Sequence, residues 1–559
     1  MKKIFIPIVG LLSPVALFAA NSPDDFDDFI KQEMLDFKSF IDEADRSFVE
    51  FLRNPWVQIK AQPAEKQRTE PEPETPIVCD DDSDSKPKSP ISLDELLKKS
   101  SKESEPVNKK NLQNPVGEMP VDRTTPEAPE VSPLPQQDTI PVGQSDDIPE
   151  LENTVSAPEP PRPTVPPTIS PEQTTPLVET PEVIAPVPQE QPKDPLFTGG
   201  ESRAQIVYNS CNLYVDNSLM GKCQLSGTDE NSIANAYENL CTNNSTPIIS
   251  DIKKIREKFK LNDWGMYTLV ESISKAFCSN KNSQVVMQQY LLNELGLSTK
   301  IARMQSNNSL TLLTASDCMI YARPSITFDG VKYFCFENTK ETAFYICPKN
   351  SSKAKNAMQM EITTAPDFGG ETTTTSHKSS DGAISVNLNV SKSLMSFYKS
   401  YPQCDYNVYA TAPINAEVET PLLNAVAQAI AGKSESQAAD MILNFIQTGF
   451  EYATDEQQFG YEKPFFVEEV FYYPQCDCED RAVIYRYLVK KLLGLDVILI
   501  SYPNHLATAV CFNEDIPGYY ITYDNKRYTV CDPTYIGASI GNCMPNLQNI
   551  SPKVVKVNS

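Results

Sequence analysis

The sequence predicts an α+β protein whose folded part lies behind a long polar leader. Three observations point there. An apolar periodic run, Val483, Ile484, Tyr487, Leu488, Leu492 and Leu493, follows Cys478 as a buried helix would, and short strand-like segments come after it. The same order of helix then strands recurs in fainter form earlier in the chain. Most of the 46 prolines fall between residues 61 and 200, a stretch too poor in aromatics to offset the entropy of ordering it.

Residues 1–20 have the pattern of a secretory signal: Lys2 and Lys3, an apolar run from Ile4 to Phe18, then Ala19-Ala20. Pro7 and Pro14 interrupt the run, which is short for a membrane span. The expected location is therefore outside the cytoplasm, periplasmic or at the cell surface. Residues 21–60 read as an amphipathic helix, with Phe26, Ile30, Met34, Phe37, Ile41, Ala44, Phe48 and Phe51 in steps of three and four over 24–57. Such a stripe needs cover, either from self-association or from docking on a partner or the distant domain. The opposite face is acidic, which disfavours anionic lipid.

Residues 61–195 read as a disordered acidic linker with one island, where Ser92 and Glu95 frame a short capped helix. Residues 196–347 alternate helical and strand patterns, and 348–415 read as connecting loops and strands. Residues 416–559 form the last folded region. Gln289-Tyr290-Leu291 with Leu295-Gly296-Leu297 can be laid over Arg486-Tyr487-Leu488 with Leu493-Gly494-Leu495. Ile326 to Tyr333 matches Ile521 to Tyr528 in register. An internal repeat follows. In its first copy Cys278–Asn280 stands opposite Cys478, an Asn307–Ser309 patch stands opposite His505, and Glu337 stands opposite Asp532; the base is missing.

The formal net charge of −25 belongs mainly to the leader, and no basic stripe with interleaved aromatics occurs, so nucleic-acid binding is disfavoured. With only two histidines and one close cysteine pair, a zinc site is not expected, nor is any other metal or cofactor. Fourteen cysteines in an exported chain raise the prospect of disulfides, among them bridges within Cys211, Cys223 and Cys241.

The chemistry concentrates in Cys476-Asp477-Cys478-Glu479-Asp480-Arg481-Ala482. A thiol on the first helical turn feels the positive end of the helix dipole. His505 lies between two strand-like segments, and Asp532 precedes Pro533 at a strand end, where it can both start a turn and orient the imidazole. Nucleophile, base and orienting carboxylate thus come in that order. Cys476 is the rival nucleophile; Cys478 fits better, with Asp477 as N-cap and Asp480 at the third position. His377 sits among serines and threonines in a loop-like segment. Asp477, Glu479 and Asp480 oppose thiolate formation unless they point to solvent.

Cys478-Glu479-Asp480-Arg481-Ala482, His505 and Asp532-Pro533-Thr534 resemble the transglutaminase-like cysteine superfamily. More narrowly, the C-terminal part is similar to exported transglutaminase-like proteins of Bacteroidetes-type bacteria. The resemblance covers residues 400–545 well and 200–345 faintly. It implies a papain-like fold, with the cysteine helix packed on an antiparallel sheet carrying His505 and Asp532. It also implies a Cys478-His505-Asp532 triad attacking peptide or amide bonds of a protein or peptide substrate through a thioester. The competing expectation is a non-catalytic binding or assembly protein of the cell envelope.

Overall fold

A computed structural model describes residues 43–67, 73–79, 87, 89–96 and 194–557. By contacts the chain divides into Met1–Glu105 with Pro192–Ser559, and Pro106–Gln191; all described residues belong to the first unit. The protein is mixed α and β, with two six-stranded, mainly antiparallel sheets. Among the described residues no helix is long and apolar enough to cross a membrane. The expected signal sequence, residues 1–20, and residues 24–42 of the expected helix lie outside the described residues.

The two sheets share one order. In the first, Ala343–Ile346, Thr299–Met304, Leu310–Ala315, Val331–Cys335 and Ser325–Phe328 lie side by side. In the second, Lys553–Val555, Asp496–Tyr502, His505–Cys511, Lys526–Cys531 and Tyr519–Tyr523 do the same. One helix packs on each sheet, Lys281–Glu294 on Thr299–Met304 and Leu310–Ala315, and Cys478–Leu493 on Asp496–Tyr502 and His505–Cys511. Both helices are buried nearly all round because the sheet covers one face and neighbouring helices the other. Gly494 ends the second in a left-handed cap at φ 69°, a conformation glycine adopts without a Cβ penalty.

The leader departs from the expectation. Among the described residues of the leader's expected helix, 43–53 are helical, and Val57–Lys60 is a strand paired antiparallel with Ala343–Ile346. Pro55 explains the break: it disfavours helical backbone at Asn54 and cannot donate to the turn before it. Phe48, Val49, Leu52 and Trp56 are buried against the chain's own folded part, with Phe48 edge-on to Tyr237 at 5.3 Å. Arg53 binds Asn235 and Glu238, both at 2.6 Å. Docking on the distant domain, one of the expected covers, is what these residues do.

The linker expected to be disordered over 61–195 is also pinned in places. Gln62 bridges to Ser325; residues 77–79 pair with Ile536; Ile91–Ser92 adds a parallel strand beside Tyr519–Tyr523. Leu93 is fully buried and begins the short helical turn 93–96, with Ser92 in the strand rather than capping in isolation. Composition averages over such a segment, whereas a sheet edge supplies ready backbone partners to any few residues with the right apolar side chains.

All fourteen cysteines are free thiols. Cys211, Cys223 and Cys241 form no bridges with one another; the Cys223 thiol instead faces Cys278 and donates to the Ser283 carbonyl at 3.2 Å.

Candidate active site

Cys478 is the first residue of the helix Cys478–Leu493 and is completely buried. Its Sγ receives the Leu506 backbone N–H at 3.4 Å and donates to Glu479 Oε2 at 3.5 Å. His505 opens the strand His505–Cys511, and Asp532 follows the strand Lys526–Cys531, so the sheet brings both to the helix start. Pairing of Thr508 with Cys531 sets the two strands in register.

His505 Nε2 and Asp532 Oδ2 are 2.8 Å apart. That leaves Nδ1 as the ring nitrogen for the thiol. No formed hydrogen bond satisfies Nδ1, yet Cys478 acts on the ring both as a charge and as a hydrogen-bond partner. Burial alone would push the imidazole down; the Asp532 and Cys478 charges outweigh it and raise His505 to about 10. A ring so raised keeps both its protons at neutral pH, between Asp532 and Cys478. Asp532 also holds its own turn, with Oδ1 accepting from Thr534 N at 2.9 Å, so both expected roles of this aspartate coexist.

The other candidates are placed elsewhere. Cys476 is buried in the two-residue strand Gln475–Cys476, its thiol pushed up to about 11 chiefly by burial. Cys531 is a buried strand residue whose carbonyl accepts from Thr508 Oγ1. His377 lies not in a loop but in the strand Thr372–Lys378, held between the Gly449 and Phe471 carbonyls and stacked on Phe450 at 4.6 Å. It is a structural histidine.

The acids flanking Cys478 do not point to solvent. Asp477, Glu479 and Asp480 are all buried. Asp480 works as a cap, with Oδ2 accepting from Asp477 N at 3.3 Å and Oδ1 from Phe465 N at 2.8 Å. Burial, then the neighbouring Glu479 charge, holds the Asp477 and Asp480 carboxyls well above the ordinary carboxylate range. Solvent screening is therefore not what reconciles these acids with a reactive thiol.

Sequence reasoning missed three contributors. Gln447 Nε2 donates to the Asp532 and Ala538 carbonyls at 3.1 and 2.9 Å, and its Oε1 receives Gly537 N at 3.2 Å, which ties down the loop after Asp532. A lone amide on the apolar face of the helix Glu435–Thr448 was the available signal. Tyr502 stacks on His505 at 6.3 Å. The leader is the third: the Tyr452 hydroxyl donates to the Pro73 carbonyl at 3.0 Å, and Cys79 N to the Ile536 carbonyl at 2.8 Å. Tyr452 pairs with Cys476, and Ile536 lies just past Asp532, so this strap runs from the cysteine side to the aspartate side.

The first sheet lacks the constellation. Where Leu506 N meets Cys478 Sγ, Leu310 N meets Asn282 Oδ1 at 2.9 Å, and Glu337 pairs with Lys281 at 2.7 Å. The Asn307–Ser309 patch offers no imidazole, as expected. Comparisons with protein-family models, with curated proteins and with solved structures return no match.

Proposed function

We propose that the chain is an exported transglutaminase-like cysteine hydrolase or acyltransferase acting on peptide or amide bonds, with a papain-like catalytic region and a preceding copy that serves as scaffold. The observation that carries this reading is His505 held by Asp532 through one ring nitrogen while the other faces Cys478 at a helix start. In the proposed cycle the Cys478 thiolate attacks the carbonyl carbon and its electron pair moves to the carbonyl oxygen. The tetrahedral adduct collapses as His505 gives its proton to the departing amine, leaving a thioester. Water then gives a proton to His505 and attacks the thioester, and the departing thiolate recovers its pairing with the imidazolium. The backbone N–H of Cys478 suits one half of an oxyanion hole.

The rival reading, a non-catalytic binding or assembly protein, is favoured by one observation: Cys478, His505 and Asp532 are all closed off from solvent, with the strap 73–79 beside them. Limiting iodoacetamide across pH 5–9, with the modified cysteine mapped by mass spectrometry, separates the two. Catalysis requires selective labelling of Cys478 below pH 7 that disappears in His505→Ala. Uniform slow labelling with an ordinary thiol profile would sink the enzyme reading.

A further inference from the structure

Five carboxyl groups converge behind the cysteine. Single oxygens of Asp455, Asp477 and Asp480 lie within 4.8 Å of one another, and those of Asp455, Glu462 and Glu479 do likewise, so Asp455 joins two overlapping sets. Asp455, Asp477, Glu479 and Asp480 are each at most 2 % exposed. Two basic side chains stand close, Lys463 to Asp480 and Arg481 to Cys476, and both are committed elsewhere. Lys463 pairs with Glu469 at 2.5 Å, and Arg481 gives its terminal N–H groups to the Gln447 and Phe450 carbonyls.

A second observation singles out the place. Asp477 is wholly buried, no N–H or hydroxyl donor satisfies either of its carboxyl oxygens, and what faces it is the Glu479 carboxyl. An orphaned pair of buried carboxyl oxygens is costly unless a cation or a donor meets it. Asp455 and Asp480 differ: Asp455 Oδ2 accepts Lys463 N, and Asp480 accepts two backbone N–H groups, so both are oriented as ligands commonly are.

We propose that Asp455, Asp477 and Asp480, with Glu479 and Glu462 completing the shell, bind one divalent cation of the calcium type beside the start of the cysteine helix. The donor set is all oxygen, with no imidazole or thiolate, which selects hard cations over zinc. Calcium takes six to eight oxygens at about 2.3–2.6 Å, so oxygens across the ion stand about 4.6–5.2 Å apart. Oxygens within 4.8 Å of one another can share one such ion, and magnesium, which keeps several waters and is seldom held by an all-protein cage, suits so buried a shell less well. Five carboxylates exceed what one ion neutralises, so the shell binds with some of them protonated. The site stands whether or not Cys478 is catalytic.

The test uses the full chain, stripped with a chelator and titrated with CaCl2 by calorimetry, with thermal melts run in parallel in CaCl2, MgCl2 and EDTA. One saturable calcium event is expected, with a higher Tm in calcium than in EDTA and a smaller change in magnesium. Asp477→Asn and Asp455→Asn are each expected to weaken binding at least tenfold, while Glu514→Gln, an exposed acid elsewhere, leaves it unchanged. Absence of both calcium heat and a Tm change in the unmodified chain overturns the proposal, and that measurement stands even if a variant fails to fold. Undiminished affinity in both aspartate variants overturns it as well.

Discussion

Asp532→Asn probes the imidazole environment most directly. His505 is raised from 6.5 to about 10 because the Asp532 and Cys478 charges outweigh burial. At 1.36 kcal/mol per pKa unit, that rise corresponds to roughly 4–5 kcal/mol of favourable coupling in the folded state. Removing one partner of a buried pair independently costs about 3–5 kcal/mol. The sign follows from the raised folded pKa. The stabilisation is fully present below pH 6.5 and is lost as pH rises towards 10. Urea unfolding of the parent and of Asp532→Asn should therefore differ by about 3–4 kcal/mol near pH 6, and the difference should shrink steadily towards pH 10. A difference below about 1 kcal/mol at pH 6, or one that is flat with pH, would refute the reasoning.

Further outcomes are expected elsewhere. Phe48→Ala deletes a buried ring packed on Tyr237 and should cost about 3–5 kcal/mol if the leader unfolds with the rest; limited proteolysis near residue 54 tells local release from global loss. Gln447→Ala removes three hydrogen bonds around the loop after Asp532, each worth about 1 kcal/mol net. It should slow Cys478 alkylation at pH 6 by at least tenfold, by loosening the aspartate rather than the thiol; a parent-like rate would remove Gln447 from the positioning role. Deleting residues 73–79 should speed labelling of Cys478 while circular dichroism stays unchanged, because the strap spans Tyr452 to Ile536.

Several features were legible in the sequence because they are local. The periodic run after Cys478 requires a helix whichever way the chain folds, and Gly494 stops it. His505 at a strand start and Asp532 before Pro533 could be placed from alternation and turn chemistry. The matched segments ending at Gly296 and Gly494 anticipated two sheets of the same strand order, since like patterns pack in like ways. The leader failed for the converse reason. Val57–Lys60, residues 77–79 and Ile91–Ser92 have no structure of their own to announce; each becomes a strand only because a distant edge offers it N–H and C=O partners.

The sequence by itself therefore determined which residues were the candidates: one histidine in strand context, one cysteine at a helix start, one aspartate at a turn. Tertiary structure decided their environment. Whether Asp477, Glu479 and Asp480 faced water or the interior depended on what packs over the first turn of the helix, here Phe465, Lys463 and Asp455. Helical periodicity assigns residues to faces, but near a helix end both faces can be covered by segments remote in sequence. A charge run that reads as a solvated cap became a sealed carboxyl cluster, because burial belongs to the assembled fold and not to the local pattern.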